Sequence, residues 1–341
     1  MEYCAVGRHE IFLDSEGNIW GSGDNSCAQL GQEPYLLDIS EPVQLSIPAE
    51  IVSVYAASYQ SYFVDTEGSV WTCGSNPFGM LGFPAKRSTI YKATKIENLP
   101  AIRKIYTSIL CTIFQDYDGV LWICGKCAVF SCETHVPTPF KLDVIAKDLC
   151  IVENSVSWLL DEEGTLMSLS RCPGSVSLHR QTDRRYVAMT RTYSHNLLLD
   201  EDGNVWGYGS NLYGQCGNPR NSYGSLQAQH VQVAGIPVIQ DIKTGEDFSV
   251  LLDIDGCVWT FGSADRLGRW AFTQDVHIPK KVEGLPKIRK IYCGFTIVAV
   301  DEEGSIWLLK TARKAMFFKP LGYPTVAVER KIATKSARNV V

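Results

Sequence analysis

Short apolar runs recur along the chain, each followed by an acidic turn and then by a second apolar run. The first runs read "IFL", "YFV", "WLL", "LLL" and "VLL", and the second mostly end in tryptophan. Between them stands Asp-x-[Asp/Glu]-Gly, giving "DSEGNIW" from Asp14, "DTEGSVW" from Asp65, "DYDGVLW" from Asp116, "DEEGTLM" from Asp161, "DEDGNVW" from Asp200, "DIDGCVW" from Asp253 and "DEEGSIW" from Asp301. Successive copies start 51, 51, 45, 39, 53 and 48 residues apart. Acid-glycine pairs suit a tight turn that needs positive φ, so each copy predicts a β-hairpin. A lone hairpin cannot bury its own apolar faces. Seven at this spacing predict an all-β fold, a seven-bladed β-propeller of four-stranded blades. One domain then spans 1–341, with repeat cores at 14–23, 65–74, 116–125, 161–170, 200–209, 253–262 and 301–310. The missing strands fall in the linkers. "IRKIY" from Ile102, "IQDIKTG" from Ile239 and "IRKIY" from Ile288 mark a recurrent inner strand, and "PFKL" from Pro139 and "PKKV" from Pro279 mark another. The C-terminal "ERKIATKSARNVV" echoes "IRKIYTSILCTIF". It is expected to pair with the first blade, so that N- and C-terminal strands seal the ring and remove its free edges.

Four copies continue past the tryptophan into a glycine-framed turn: "GDNSCAQLG" from Gly23, "GSNPFGMLG" from Gly74, "GSNLYGQCG" from Gly209 and a shortened "GSADRLG" from Gly262. Three blades depart from this. The third reads "CGKCAVFSCETHVP", and the seventh runs "WLLKTARKAMFFKP". In the fourth, Met167 replaces the tryptophan and "SRCPGSVSLHRQTDRR" replaces the turn. These departures fit drift in blades that need only core packing, or a specialised contact surface in blades three and four.

Composition narrows the function. The 341 residues are 45% hydrophobic and 20% charged, with net charge -5 and a pI near 5.7, which argues against a general nucleic-acid binder. Charge is uneven: Lys310 to Val341 hold eight basic residues and one acid, leaving 24 basic and 36 acidic residues, a net of -12, on the rest. Arg171, Arg180, Arg184, Arg185 and Arg191 add a basic cluster. Such runs are a solvated strand face or a steering patch for a charged partner. No run of about 18 apolar residues is present, so no membrane span is expected. The start, "MEYCAVGRHEIFLD", lacks the pattern of a secretory signal. Twelve cysteines without such a signal point to free thiols in a reducing compartment, cytoplasm or nucleus.

The candidate chemistry is thin. A calcium loop starting at Asp200 would need glycine at its sixth place and glutamate at its twelfth, where Val205 and Asn211 stand. Gly209 and Gly214 have phosphate-loop spacing, but Gln215 and Cys216 follow instead of Lys and Ser/Thr. Cys124, Cys127, Cys132 and His135 form a legal but weak zinc set, since Cys124 aligns with Cys73 at a strand position that faces the core. His9 and His195 each lie five residues before a repeat Asp and read as hydrogen-bonding core or turn residues. No catalytic constellation is expected, and no cofactor. Six tryptophans occupy repeat positions and read as packing; Trp270, with Phe272 near it, is a candidate exposed anchor.

The combination D-x-D/E-G-x-V-W-x-x-G-x-N-x-x-G-Q-L-G resembles the regulator of chromosome condensation repeat family, over essentially the full chain. The resemblance implies a seven-bladed propeller. It also implies regulation of a small GTPase of Ran or a related type, as an exchange factor that stabilises the nucleotide-free form, or else a non-enzymatic interaction platform. Some relatives are fused to ubiquitin ligases, and some intracellular bacteria make such propellers as effectors aimed at host GTPases. In the founding members a face of loops grips the GTPase and a β-wedge disturbs its phosphate loop. Carried over by position, the partner-binding residues are Asp24, Asn25, Asn76, Asn211 and Asp265, beside Trp270. "SRCPGSVSLHR" is the candidate wedge. The basic N-terminal arm of chromatin-bound relatives is absent here, so no DNA partner is expected.

Overall fold

The computed structural model describes residues 2–6, 9–14, 16–32, 38–108, 110–126, 136–151, 157–172, 175–192, 194–218, 227–263, 276–293, 297–310 and 317–320. Every regular element among them is a strand. The first sheet runs β1 (Glu2–Val6), β2 (His9–Leu13), β3 (Ile19–Asp24), β4 (Asp38–Leu45). The second runs β5 (Ile51–Ala57), β6 (Gln60–Asp65), β7 (Val70–Ser75), β8 (Thr89–Lys95). The third runs β9 (Ile102–Thr107), β10 (Cys111–Asp116), β11 (Val120–Gly125), β12 (Val136–Ile145). Next come β13 (Asp148–Cys150), β14 (Ser157–Leu160), β15 (Thr165–Cys172) and the 17-residue β16 (Ser175–Arg191). They lead to β17 (His195–Asp200), β18 (Val205–Gly209) and β19 (Gln227–Gln232). Two further four-stranded sheets follow: β20 (Ile239–Thr244), β21 (Phe248–Asp253), β22 (Val258–Gly262), β23 (Val276–Lys281); and β24 (Ile288–Cys293), β25 (Ile297–Asp301), β26 (Ile306–Lys310), β27 (Phe317–Pro320). Neighbours in the four-stranded sheets pair antiparallel, as β6 with β7 from Gln60↔Gly74 to Val64↔Val70. By packing, the chain forms two compact units, residues 1–193 with 198–202, and residues 194–197 with 203–341.

Each repeat motif is the tip joining the second and third strands of a set. At the first tip Gly17 N–H donates to Asp14 O at 3.3 Å and Asp14 N–H to Asn18 O at 3.0 Å. A left-handed residue closes this hydrogen-bonded turn. That residue is the glycine, at φ +84 in Gly17 and between +79 and +88 in the other six. The acid before it does a different job. Asp14 Oδ1 accepts the N–H groups of Glu16 (2.8 Å) and Asn18 (2.9 Å), while Oδ2 accepts Trp20 Nε1–H at 3.1 Å. Burial pushes this carboxyl's pKa up, but the bonds from Asn18, Trp20 and Glu16 outweigh it and hold the pKa below its ordinary value. The clasp recurs: Trp71 donates to Asp65 at 3.0 Å, Trp122 to Asp116 at 3.1 Å, Trp259 to Asp253 and Trp307 to Asp301 at 2.8 Å. Those repeat tryptophans are half-buried. They pack, and they also tie strand three to the aspartate that begins the turn.

Apolar side chains meet between consecutive sheets. In the first unit Ile11, Leu13 and Ile19 pack with Val54 and Phe63, and Val64, Val70 and Leu81 with Ile105 and Phe114. Cys111, Ile113 and Ile123 pack with Leu149, Leu159 and Leu169. In the second unit Phe248, Val250 and Leu252 pack with Ile288, Ile291 and Ala299. All six residues of β6 are buried, where each large apolar side chain contributes about 1.5–3 kcal/mol.

"IRKIY" and "IQDIKT" form strands as expected, the first strands β9, β24 and β20 of their sheets, while "PFKL" and "PKKV" fall in the fourth strands β12 and β23 at the opposite edges. The corresponding edge strand of the first sheet is β1, paired with β2 from Glu2↔Leu13 to Val6↔His9. One place beside β2 is therefore filled by the chain's own first residues. A neighbour two residues away closes a far shorter loop than one from the other end of the chain. "ERKIATKSARNVV" lies outside the described residues.

Candidate functional site

The glycine-framed turns leave the third strands at the end opposite the repeat tips, and three of them share one construction. In the second, Asn76 is fully buried; its Oδ1 accepts Leu81 N–H at 2.9 Å, and its Nδ2 donates to Phe83 O (3.0 Å) and Arg87 O (2.9 Å). In the first, buried Asn25 accepts Leu30 N–H at 3.0 Å and donates to Gln32 O. Asn211 in the fifth accepts Cys216 N–H at 2.9 Å and donates to Asn218 O at 2.6 Å. The asparagine needed by position thus binds a backbone N–H five residues on and a carbonyl beyond it, inside its own turn. Asp24 is half-buried, and its Oδ1 accepts Ser26 N–H at 2.8 Å. Asp265 and Trp270 lie outside the described residues. The turns are rigid loops with a backbone and flanking side chains to offer, and the three amides act by shaping them.

Beneath the turns, consecutive sheets are joined by buried polar links that the sequence showed only in part. His9 Nε2 meets Ser61 Oγ at 3.1 Å, and that hydroxyl donates to Gln29 O. The second unit repeats the arrangement: His195 Nε2 to Ser249 Oγ at 2.9 Å, and Ser249 Oγ to Gln215 O at 2.8 Å. Between the second and third sheets Tyr62 takes the histidine's part, meeting Thr112 Oγ1 at 2.7 Å and donating to Met80 O at 3.3 Å. The histidines were legible as hydrogen-bonding core residues. Their partners were not, though a hydroxyl one residue after the histidine position of the next repeat was the available signal. His9 and Ser61 are fully buried and the serine proton is committed to a carbonyl, so this His–Ser pair is a joint and has no access to a substrate.

His9 makes this joint acid-sensitive. Burial lowers its pKa from 6.5 to about 4. Above pH 6.5 neither folded nor unfolded chain holds the proton. Below it the unfolded chain takes up a proton that the folded one refuses until about pH 4, so stability falls as pH drops through that window. Urea unfolding at pH 7.5 and 4.5 is expected to show about 2–3 kcal/mol of acid loss from this residue, which His9→Gln removes. Equal losses in both proteins would exclude His9 as the source.

Cys124 is buried, its Sγ donates to Met80 O at 3.1 Å, and burial drives its thiol pKa far up. Its proposed zinc partners Cys127, Cys132 and His135 lie outside the described residues. Among those described, no three His, Cys, Asp or Glu side chains come together to hold a metal ion. Cys73 and Cys216 are likewise buried, with pKa raised to about 12 by burial. No helix among the described residues is long and apolar enough to cross a membrane.

Antiparallel sheets with apolar layers between them, Asp–Trp tips at one strand end and asparagine-tied glycine turns at the other make this chain similar to RCC1 repeat proteins. The regulator of chromosome condensation (RCC1) repeat pattern matches residues 192–215. The chain is 21% identical over 354 residues to the human regulator of chromosome condensation, covering 88% of this chain and 81% of that protein. It is 22% identical over 353 residues to the guanine nucleotide exchange factor SRM1 of Saccharomyces cerevisiae, covering 89% and 68%. Its fold matches the crystal structure of Saccharomyces cerevisiae Prp20p, a protein studied for its binding to Gsp1p and histones, with TM-score 0.72 at 17% identity over 86% of this chain and 80% of that one.

Proposed function

We propose that this chain is a single propeller domain over residues 1–341 that regulates a small GTPase of Ran or a related type as a guanine-nucleotide exchange factor. The observation that carries the reading is the set of asparagine-tied turns at one strand end, in a chain similar to a protein named as an exchange factor. Exchange requires no covalent chemistry from the propeller. It requires that the nucleotide-free GTPase be held more tightly than the loaded one, and rigid loops suit that differential grip. Asp24, Asn25, Asn76, Asn211, Asp265 and Trp270 belong to this face in the reading, the asparagines by fixing loop shape. A protruding wedge is also needed. The strands β15 and β16 stay paired up to Cys172↔Ser175 with only Pro173 and Gly174 between them. The last pair, Cys172↔Ser175, stands at the glycine-turn end of β15, where a wedge would act. The setting is a reducing compartment, cytoplasm or nucleus.

The test follows fluorescent GDP release from a panel of loaded small GTPases. One of them is expected to release GDP on the order of 100-fold faster with the chain present. Binding without release would make the chain an interaction platform. A flat result across the panel would end the exchange reading.

A further inference from the structure

At the glycine-turn end of the second and third sheets the charge changes sign. From Ser75 to Lys95 the chain has no Asp or Glu, in a chain of net charge -5; Lys86 and Arg87 stand in the turn itself, while Lys92 and Lys95 lie farther along β8, Lys95 opposite Trp71. Within the turn that follows β7, the Arg87 guanidinium lies over the Phe83 ring, 5.9 Å from its centroid. Lys126, just past β11, lies over Phe78 at 5.7 Å. Lys86, Arg87 and Lys126 are exposed, and the two phenylalanines are half-buried. Tyr59 is 46% exposed, and its carbonyl accepts Ser75 N–H at 2.9 Å at the foot of the same turn. Asn76 fixes the arrangement from beneath, since its amide donates to the carbonyls of Phe83 and Arg87, the two members of one cation–ring pair.

We propose that these three cations and three rings form a docking patch for an acidic protein segment; that the segment belongs to a GTPase rests on the exchange reading above. Opposite charge steers encounter and selects the partner, and an exposed tyrosine beside it is a low-entropy anchor of the kind that dominates interface energy. The patch discriminates against single-stranded nucleic acid. Such ligands stack bases on open ring faces, but here Arg87 and Lys126 already cover Phe83 and Phe78. It also disfavours a second copy of the chain, whose identical cations would meet it. Lipid headgroup sites gather four to eight basic residues in one cluster, more than the three cations Lys86, Arg87 and Lys126 here; Lys92, also exposed, stands apart on β8. Asn76 is a positioning residue, holding the ring and cation in register.

The experiment is fluorescence anisotropy on the full chain with a labelled deca-glutamate peptide, beside a deca-glutamine peptide, a labelled ten-nucleotide single-stranded DNA and phosphatidylserine vesicles. The chain is expected to bind deca-glutamate alone, about tenfold more weakly at 300 than at 50 mM salt. Lys86→Glu/Arg87→Glu/Lys126→Glu is expected to weaken binding at least tenfold and Tyr59→Ala about threefold, with unchanged thermal midpoints. Should the triple variant unfold, Lys126→Gln alone, expected to cost about threefold, decides. No binding of deca-glutamate, equal binding of deca-glutamine, tighter binding of DNA or vesicles, or indifference to these substitutions would each overturn the patch. GDP release separates the two readings. A chain that binds deca-glutamate but accelerates no GTPase leaves the patch standing without the exchange function. One whose exchange is untouched by the triple variant keeps the function and removes the GTPase as the owner of the acidic segment.

Discussion

Asp65→Ala is expected to cost about 3–4 kcal/mol of folding stability, although the residue sits in a turn at the end of a hairpin. Its Oδ1 accepts Glu67 N–H at 3.0 Å and Ser69 N–H at 2.8 Å, and Oδ2 accepts Trp71 Nε1–H at 3.0 Å. Hydrogen bonds to a charged group contribute about 1.5–3 kcal/mol each, and truncation strands their donors in a partly buried place. The bonds share one carboxylate, so the sum falls short of three separate values. Two further variants separate the two oxygens. Asp65→Asn keeps the turn acceptor and turns an amide N–H toward the indole N–H, for about 1–2 kcal/mol. Asp161→Ala in the fourth repeat should cost less than Asp65→Ala. Asp161 accepts Glu163 and Thr165 N–H at 3.0 and 2.7 Å, but Met167 stands where the indole would be. Urea unfolding of the three proteins checks the order. Equal costs for Asp65→Ala and Asp161→Ala would remove the indole from the account.

A larger loss is expected at the other end of the strand. Gly74 has φ +116, and a Cβ there would sit 2.3 Å from Tyr59 O and 3.0 Å from Gln60 Cα. Both obstacles are backbone, held by Ser75 N–H to Tyr59 O at 2.9 Å and by Gln60 Nε2 to Ser75 O at 3.2 Å. Relief would have to part β6 from β7. Gly74→Ala is therefore expected to cost at least about 4 kcal/mol, a large share of the roughly 5–15 kcal/mol that holds a domain folded, and to leave little soluble protein. Gly17→Ala is the control. It also has positive φ, at +84, but nothing lies within 4 Å of its added methyl, so only the left-handed strain of about 1–2 kcal/mol remains. Matching unfolding midpoints for the two variants would mean that the close approach of Tyr59 carries no weight.

The hairpins were legible because each is local. The acid, the glycine and the two flanking apolar runs lie within a dozen residues, and the turn they encode is the turn the chain makes. The glycine-framed turns were legible for the same reason, down to the asparagine. What that asparagine does was not, because its partners are backbone groups: in "GSNPFGMLGF" nothing marks Leu81 N–H or Phe83 O as the groups that Asn76 meets. Tryptophan read as packing, since an indole's one polar atom gives no sign in a sequence of where it will point. The links from His9 to Ser61 and from Tyr62 to Thr112 span 52 and 50 residues. They appear only once one repeat is laid against the next. The patch around Phe78 and Lys126 was hidden too. Lys126 belongs to a different repeat from the ring it covers, and charge counted along the chain reports only the sum.

The aspartate clasp closes within seven residues, from Asp14 to Trp20, and asks nothing of the neighbouring sheet. A module whose fastening is internal can be copied, lost or re-spaced without re-engineering the modules beside it. That is the physical basis for starts that range from 39 to 53 residues apart in one chain.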